Sequence, residues 1–479
     1  MLKANVKTRS IFCALVGLSL GVATAMADED LSDRDITLAV ETELALEEGV
    51  PAHQIDVSTA NGVVTLSGKT SSYLAKLEAE DEAEAVRGVL AVVNQIEVDP
   101  VGRSDAEIAA DVISALATDP ATEALDIDVD VEAGVVTLSG EVDSWAERTL
   151  AEEASEQVAG VVAVENDLTY EIVAGRTDQE IREEIRTRLR RDASIDAALV
   201  GVAVENGEVT LSGSVGSAAE KTEAGTEAWL VPGVEVVNNN LDVEWWLDGD
   251  KATDWEPEWT DANAEEAVES ALANDPRVES FEVNVSVDDG VATLTGSVDN
   301  LRAKQEAEDE ALDTLGVWRV KNHLRVRPNV IRTDAEIAED VRDILAMDVY
   351  VNRDEISVAV SNAQVYLTGD VATNFLRDRA ERVAAGVAGV VDVENDLVVE
   401  DYEPTVSDIE IREDIRSQLF WSPFVDSDDI TVTVENGVAT LRGEVEDWSE
   451  FQAAEENARE GGARSVINLI GLGYGGPAK

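Results

Sequence analysis

The stretch Asn61-Gly62-Val63-Val64-Thr65-Leu66-Ser67-Gly68 decides the fold, because its last seven residues return unchanged at 134–140. Variants of the same string occur four more times, so the chain holds six copies of one pattern. The glycines that close the six strings are 72, 73, 83, 73 and 74 residues apart: Gly68, Gly140, Gly213, Gly296, Gly369 and Gly443. A repeat of this length predicts tandem units, here two sets of three with about ten extra residues between them.

Each copy opens with Ser or Thr followed by Asp, and four copies carry Glu three residues after the opening hydroxyl residue. This pattern is a capping box at the start of a helix. The four glutamates are Glu107, Glu180, Glu336 and Glu410. Apolar residues then recur at every fourth position, as in Ile108, Val112 and Leu116, which indicates one buried stripe of a helix.

Strictly alternating residues follow that helix, as in 127–132, and they predict a half-buried strand. The next turn is Asn-Gly or Asp-Gly in four copies, which favours a type I′ hairpin, and the repeated string is the returning strand. In the fifth copy Ala363 stands where the hairpin glycine is expected, which leaves the conformation of that turn open. The sixth copy departs at 461–463, where Gly-Gly-Ala precedes the last strand.

A second amphipathic helix and a last strand complete each copy. Every last strand carries an asparagine six residues after the glycine that precedes it: Asn94, Asn166, Asn239, Asn322, Asn395 and Asn468. The order helix, strand, strand, helix, strand predicts an α+β fold, a tandem array of six small αββαβ domains with two helices on one face of a three-stranded sheet. Each unit of about 70 residues is long enough to fold alone.

The expected segments are a signal peptide at 1–27, domains 1 to 3 at 32–100, 104–172 and 177–245, a Trp-rich acidic linker at 246–259, and domains 4 to 6 at 260–328, 333–401 and 407–473. We expect the domains as beads, arranged three plus three. Residues 75–83 of domain 1 match 303–311 of domain 4 closely, and domains 2 and 5 share Val-Glu-Asn-Asp-Leu. A three-domain ancestor that was doubled explains both matches.

The first 27 residues differ from the rest of the chain. Lys3, Lys7 and Arg9 precede an apolar stretch, and Ala25-Met26-Ala27 is a small-x-small cleavage signal. This arrangement predicts a cleavable signal peptide and a periplasmic protein. The single cysteine, Cys13, lies near the start of the apolar stretch after Phe12, which rejects a lipoprotein signal and leaves the mature chain without disulfides.

These motifs resemble the BON domain, found in osmotically induced periplasmic proteins of bacteria. The residues that carry the resemblance are the [ST]-D-x-E-I opening, the N-G-V-V-T-L-S-G hairpin and the closing G-V-x-x-V-x-N-x-L, as in Gly160 to Leu168. The resemblance covers nearly all of 32–473. It implies a membrane-associated, stress-related envelope role, with phospholipid or envelope proteins as partners and no catalytic activity.

The net charge of the chain limits the classes of partner that it can bind. The sequence has 101 Asp and Glu against 36 Lys and Arg, a formal net charge of −65. Such a surface repels nucleic-acid phosphates, so no nucleic-acid partner is expected. It also repels bare anionic lipid, except where the charge is locally reversed. Acidic runs such as 78–84 collect divalent cations weakly at most, because no twelve-residue calcium loop is present.

No catalytic centre is evident in the sequence. The mature chain has no cysteine, and its two histidines, His53 and His323, do not recur among the copies, so a surface role is the better interpretation. Carboxylates are too numerous for one pair to stand out. The string G-x-G-x-x-G at 471–476 lacks the helix that a dinucleotide site requires. We therefore predict a non-enzyme without a cofactor or metal site.

Two features are candidate binding sites. The first is the cluster of Trp245, Trp246, Trp255 and Trp259 at the join of the two halves. These rings either pack the halves together or offer an aromatic surface to a lipid interface, a glycan or a protein partner.

The second candidate is a basic ladder, consisting of Arg319, Lys321, His323, Arg325 and Arg327 at alternate positions of the last strand of domain 4. With a period of two, these side chains project from one face. The ladder either blocks edge pairing, docks an acidic strand face of another copy or molecule, or binds an anionic lipid headgroup. The expected function is therefore a non-catalytic periplasmic protein of envelope maintenance or osmotic stress, and the alternative is a spacer or assembly module without lipid binding. The sequence leaves the oligomeric state open.

Overall fold

The computed structural model of the protein describes residues 31–100, 102–119, 121–122, 126–170, 176–245, 260–275, 277–278, 283–328, 332–351, 356–399, 407–445 and 448–472. The expected signal peptide, and the linker at 246–259, lie outside these residues. The described residues form six repeats of the order helix, strand, strand, helix, strand, as the sequence predicts.

Each repeat contributes two helices, and a side-chain oxygen of Ser, Thr or Asn caps eleven of the twelve at the first turn. All four predicted capping boxes form. The helices are α1 Asp33–Leu46, α2 Tyr73–Glu84, α3 Asp105–Thr118, α4 Trp145–Glu156, α5 Asp178–Leu189, α6 Ala218–Trp229, α7 Asp261–Asn274, α8 Leu301–Leu312, α9 Asp334–Met347, α10 Asn374–Ala385, α11 Asp408–Trp421 and α12 Trp448–Glu460.

Each repeat also contributes three strands. They are β1 Ile55–Ala60, β2 Val63–Thr70, β3 Ala91–Val98, β4 Asp126–Glu132, β5 Val135–Val142, β6 Ala163–Tyr170, β7 Val200–Glu205, β8 Glu208–Val215, β9 Val236–Val243, β10 Val283–Asp288, β11 Val291–Val298, β12 Arg319–Val326, β13 Ile356–Ser361, β14 Gln364–Val371, β15 Asp392–Val399, β16 Thr431–Glu435, β17 Val438–Val445 and β18 Ser465–Leu472.

The repeated string is the central strand of every sheet. In domain 1 the strand order is β1-β2-β3, with β1 antiparallel and β3 parallel to β2, and the other five sheets follow the same scheme. The helix between the second and third strands makes the parallel connection possible. Both helices pack on one face, so each domain encloses its own core, for example Val64, Leu66 and Ala79 in domain 1.

The aspartate of the opening motif has a role beyond the helix cap. In domain 1 the two carboxylate oxygens of Asp33 accept the backbone N–H groups of Asn61 and Gly62, both at 2.9 Å. The same two bonds recur in all six domains, from Asp33, Asp105, Asp178, Asp261, Asp334 and Asp408. These bonds lower the pKa of Asp33. This clamp was not predicted from the sequence, although the recurrence of the aspartate in every copy is its signal.

The closing glycine is required by a close backbone approach. Gly68 has φ +122°, and a Cβ there would stand 2.1 Å from the carbonyl oxygen of Gln54. Gly443 repeats this geometry against Asp429. A side chain at this position would therefore displace the start of the first strand, which explains why glycine closes every copy.

The six domains do not stand apart as beads, because side chains from one domain enter the core of the next. Tyr73, the first residue of α2, packs against the core of domain 2. The equivalent Trp145 of domain 2 stacks on Trp229 of domain 3, with ring centroids 6.1 Å apart. Ala218 of domain 3 is buried in the core of domain 1, and Leu301 of domain 4 in that of domain 5. The domains of the first half thus contact one another in the cyclic order 1, 2, 3, 1.

Candidate functional site

The basic ladder lies on the open face of the domain 4 sheet. Arg319, Lys321, His323 and Arg325 are exposed on β12, and Arg327 is exposed directly after it. The intervening Leu324 is buried, and Val320 and Val326 pack against the core of the domain. The alternation that the sequence indicates is therefore present in three dimensions. None of the four arginine and lysine side chains makes an ion pair with an acid in the described part of the chain.

The rest of this face is neutral along its centre. Lys321 lies beside Thr293 and His323 beside Thr295 on β11, and these threonines pair with Ser286 and Asn284 on β10. Hydroxyl and amide groups thus flank the cations. The one acid in these three strands is Asp288, exposed at the end of β10 in the same row as Arg319, with Val291 between them.

The same face has the opposite charge in domains 2 and 5. In domain 2 the exposed positions of β6 include Glu165 and Asp167, and the outer strand β4 exposes Asp126, Asp128 and Asp130. In domain 5, the exposed positions of β15 include Asp392, Glu394 and Asp396. The basic face of domain 4 is therefore a local reversal within one repeated framework.

The recurring asparagine of each last strand ties that strand to the second helix. In domain 4 the side-chain amide of Asn322 donates to the carbonyl of Lys304 at 2.7 Å, and its oxygen accepts the N–H of Leu324 at 3.1 Å. The side chain thereby occupies a backbone donor on the outer edge of the sheet. Because this edge is partly blocked, the open face of the sheet, more than its edge, is the surface that the ladder offers.

The tryptophan cluster falls mostly outside the described residues. Trp245 follows β9 and has an interaction partner, whereas Trp246, Trp255 and Trp259 lie in the part of the chain that is not described. The tryptophan cluster therefore stays a prediction from the sequence.

The two histidines and one cluster of carboxylates are the groups to consider for catalysis and metal binding. His53 and His323 are both exposed and lie in different domains. Oxygens of Asp192, Glu223 and Glu227 lie within 4.8 Å of one another, the one such group among the described residues. Arg188 already pairs with Glu227 at 2.8 Å, which supplies the positive charge that a metal ion would bring. The arrangement is a structural ion pair with two further carboxylates.

Carboxylates also meet where domains 1 and 6 pack together, a cluster that the sequence analysis did not single out. Burial, together with the charges of Glu460, Glu47, Glu43 and Glu456, raises the pKa of Glu82 to about 8. Burial likewise raises the pKa of Glu43 to about 7. Acids with raised pKa values thus lie where these two domains pack together.

Comparison with known proteins places the repeat in a described family. The family model described as "BON domain" matches residues 32–100, 104–171, 177–244, 260–328, 333–401 and 407–473. Osmotically-inducible protein Y of Escherichia coli strain K12 is 32% identical over 137 residues, which cover 27% of this chain and 68% of that protein. The outer membrane lipoprotein DolP of Haemophilus influenzae is 29% identical over 144 residues, which cover 29% of this chain and 73% of that protein.

Among solved structures, the chain is similar to the C-terminal domain of CdsD, a structural protein of the type III secretion system of Chlamydia trachomatis. The match has 17% sequence identity and a TM-score of 0.13, and it covers 45% of this chain and all of that one. Within the described residues, no helix has both the length and the apolar character that a membrane crossing needs.

Proposed function

The chain belongs to the BON domain family, and from this premise we propose that it is a non-catalytic protein of the bacterial envelope that binds anionic phospholipid headgroups through the basic ladder of domain 4. The names of its relatives, an osmotically inducible protein and an outer membrane lipoprotein, support an envelope role and a role in osmotic stress. The signal peptide that the sequence predicts at 1–27 supports export to the periplasm.

The exposed ladder is the observation that carries this proposal. Alternate residues of a strand stand about 6.6–7 Å apart, so the four arginine and lysine side chains form a row of roughly 25–30 Å. A membrane presents many phosphates in one plane, and such a row engages several of them at once. The threonine hydroxyls beside the row offer donors to the same oxygen atoms.

The rest of the molecule limits how the chain approaches a membrane. With a net charge of −65, most of its surface repels an anionic bilayer. Attachment then depends on the reversed face alone, and it weakens as salt screens the contact, because the Debye length falls to about 8 Å at physiological ionic strength. The expected binding is therefore local, reversible and sensitive to salt.

The charge pattern also supports a second candidate function. The acidic face of domain 2 complements the ladder, so a second molecule of the chain, or another acidic envelope protein, is an alternative occupant. In that case the protein is an assembly or spacer module that acts without lipid binding. The experiment below separates the two functions.

The test is sedimentation of residues 28–479 with vesicles of phosphatidylcholine alone or with added phosphatidylglycerol, at low and moderate salt, with and without millimolar Ca²⁺. The ladder variant carries Arg319→Glu, Lys321→Glu, Arg325→Glu and Arg327→Glu. The control carries Arg182→Glu, Arg186→Glu, Arg412→Glu and Arg416→Glu, which change the net charge equally at exposed or half-buried helix positions that pair with Glu183 and Glu413.

Lipid binding predicts that the wild type and the control sediment with the phosphatidylglycerol vesicles and that the ladder variant loses at least tenfold in affinity. Equal losses in both variants would show unlocalised electrostatics and contradict a ladder site. If no protein sediments with vesicles, but the wild type self-associates and the ladder variant does not, the assembly function replaces the lipid function.

A further inference from the structure

The two halves of the chain contact each other through three domain pairs. Domain 1 pairs with domain 6, where the N–H of Arg87 donates to the carbonyl of Trp421 at 2.8 Å. Domain 3 pairs with domain 4, where the N–H of Leu315 donates to the carbonyl of Arg191, also at 2.8 Å. Domains 2 and 5 form the third pair.

The same two structural positions make all of these bonds. The donor is the residue before the last-strand glycine, and the acceptor lies at or just after the end of the first helix. Between domains 2 and 5 the bond is reciprocal, because Ala159 donates to Met347 at 2.9 Å and Ala388 donates to Thr118 at 3.1 Å. We name these two positions the pairing surface.

A second backbone hydrogen bond lies beside the first in two of the domain pairs, 2 with 5 and 3 with 4. Val349 donates to the carbonyl of Gln157 at 3.2 Å, and the equivalent Ala193 donates to the carbonyl of Asp313 at 3.1 Å. Each forms an isolated antiparallel bridge between domains. Backbone atoms make all of these bonds, so the pairing surface does not depend on the side chains that differ among the copies.

The three domain pairs are those that a two-fold rotation axis between the halves would produce. If domains 4, 5 and 6 are second copies of 1, 2 and 3, as the shared sequences indicate, a symmetric dimer of the three-domain unit pairs its first domain with the partner's third. It pairs its middle domain with the partner's middle domain. This arrangement gives the pairs 1 with 6, 2 with 5 and 3 with 4. The middle pair lies on the axis, which is where a reciprocal contact is required and where it is found.

Two missing bonds have local causes. In domain 3 the donor position holds Pro232, which has no N–H. In domain 6 the second helix, α12, is one residue longer than its counterparts, and the N–H of Gly461 bonds to Asn457 within that helix. Both missing bonds would run from the third domain of one half to the first domain of the other, so their joint absence keeps the two-fold symmetry of the outer pairs.

Side chains add to the contact between the halves. The guanidinium of Arg87 donates to the carbonyls of Ser422 and Val425, both at 3.2 Å, and lies over the ring of Phe420. Buried Arg277 of domain 4 pairs with Glu153 of domain 2 at 2.6 Å. Both sets of side-chain contacts join one half to the other, and the second links domains 4 and 2 in addition to the three pairs joined by backbone bonds.

From this geometry we infer that the chain is a fused dimer of a three-domain unit, and that its pairing surface fits a second BON-domain triplet whether or not the two are covalently joined. Residues 246–259 supply tethering and raise the effective concentration of the halves. The specificity lies in the paired domains themselves. This inference does not depend on the ligand of the basic ladder.

The experiment uses the full exported chain with a protease site inserted between residues 246 and 259. After purification the site is cut, and the product is examined by size-exclusion chromatography with light scattering. The cut protein is expected to elute as one complex with the mass of the uncut chain. Separation of the halves at micromolar concentration would overturn the inference.

Two variants test the surface itself. Ala159→Pro with Ala388→Pro removes both reciprocal donors, and Pro232 shows that this position accepts proline in a folded domain. Arg87→Ala with Arg277→Ala removes side-chain contacts without touching the backbone. Both variants, once cut, are expected to separate at protein concentrations at least tenfold higher than the wild type does, with unchanged far-ultraviolet circular dichroism. If both cut variants stay together like the wild type, the pairing surface is wrongly assigned.

Discussion

At the scale of single residues, the hairpin of domain 5 shows how strongly the framework imposes its turn. Ala363 has φ +64° and Asn362 has φ +53°, so the turn has the same conformation as those with glycine. The two N–H groups still bond to Asp334, at 3.0 and 2.9 Å. The question that the sequence left open is settled: the aspartate clamp holds alanine in a left-handed conformation that costs about 1–2 kcal/mol.

Replacing Ala363 by glycine is therefore expected to stabilise the hairpin by about 1 kcal/mol, because glycine adopts positive φ without a steric penalty. Hydrogen exchange of the β13 and β14 amides measures this local change. The matched control is Ala359→Gly on the exposed face of β13, where the same substitution removes strand propensity and is expected to destabilise by about 0.5–1 kcal/mol. Faster exchange in Ala363→Gly would contradict the strain argument.

At the scale of an element, the last strand depends on one asparagine. In domain 3, the side chain of Asn239 donates to the carbonyl of Lys221 at 2.6 Å and accepts the N–H of Leu241. It joins β9 to α6 and blocks part of the strand edge. The neighbouring Asn240 is exposed, so the run of three asparagines contains both a structural position and a surface position.

This difference leads to a paired prediction. Asn239→Ala removes the side-chain donor to the Lys221 carbonyl and leaves the edge N–H of Leu241 without its partner, which is expected to cost about 1–3 kcal/mol. The amide of Leu241 should then exchange at least about fivefold faster, the factor that 1 kcal/mol represents. Asn240→Ala is the control and should leave that amide unchanged. Equal effects of the two substitutions would show that the strand edge, and not the bridge to the helix, controls exchange.

At the scale of the whole molecule, packing places acids where domains meet. Domains 1 and 6 bring together Glu43, Glu47, Glu82, Glu456 and Glu460. Gln418 of α11 donates to Glu43 at 3.2 Å. The nearby cation is Arg87, whose guanidinium donates to backbone carbonyls of domain 6. The interface that joins the first and last domains therefore carries a surplus of negative charge.

The raised pKa values fix the sign of the pH dependence. A carboxylic acid whose pKa is raised in the folded state is buried more easily in its protonated form. Its burial therefore costs no free energy of folding for ionisation below about pH 4.5, and the full cost applies above the pKa of the folded state. Because burial raises the pKa of Glu82 to about 8 and that of Glu460 to about 7, the interface should weaken as the pH rises from 5 to 8.

The measurement is thermal unfolding of the full chain between pH 5 and 8. Glu82→Gln is expected to stabilise the protein at pH 8 by about 1–2 kcal/mol, after allowance for solvent screening of a partly exposed group, and to flatten the pH profile. Glu165→Gln removes the same charge from the exposed face of domain 2 and should leave the profile unchanged. A stability that rises toward pH 8 in the wild type would contradict the sign.

Local sequence patterns predict the α+β fold, the six copies, the capping boxes and the alternation that exposes Arg319 and Lys321. These features depend on local rules, namely the helical and strand periods, hydrogen-bond capping and the turn residues, and six repetitions make each pattern unmistakable. The exposed ladder follows from the same period of two. Its ligand does not follow, because binding depends on a partner outside the chain.

The pairing of the domains, the hydrogen bonds of the opening aspartates and the burial of particular acids become visible in the three-dimensional structure alone. Asp33 and its hairpin amides are 28 and 29 residues apart, and Arg87 and Trp421 are on opposite halves of the chain. Backbone groups carry most of these contacts, and every residue offers the same backbone groups, so side-chain patterns cannot single them out. The raised pKa of Glu82 likewise arises from the domain packed against it, which no local rule places there.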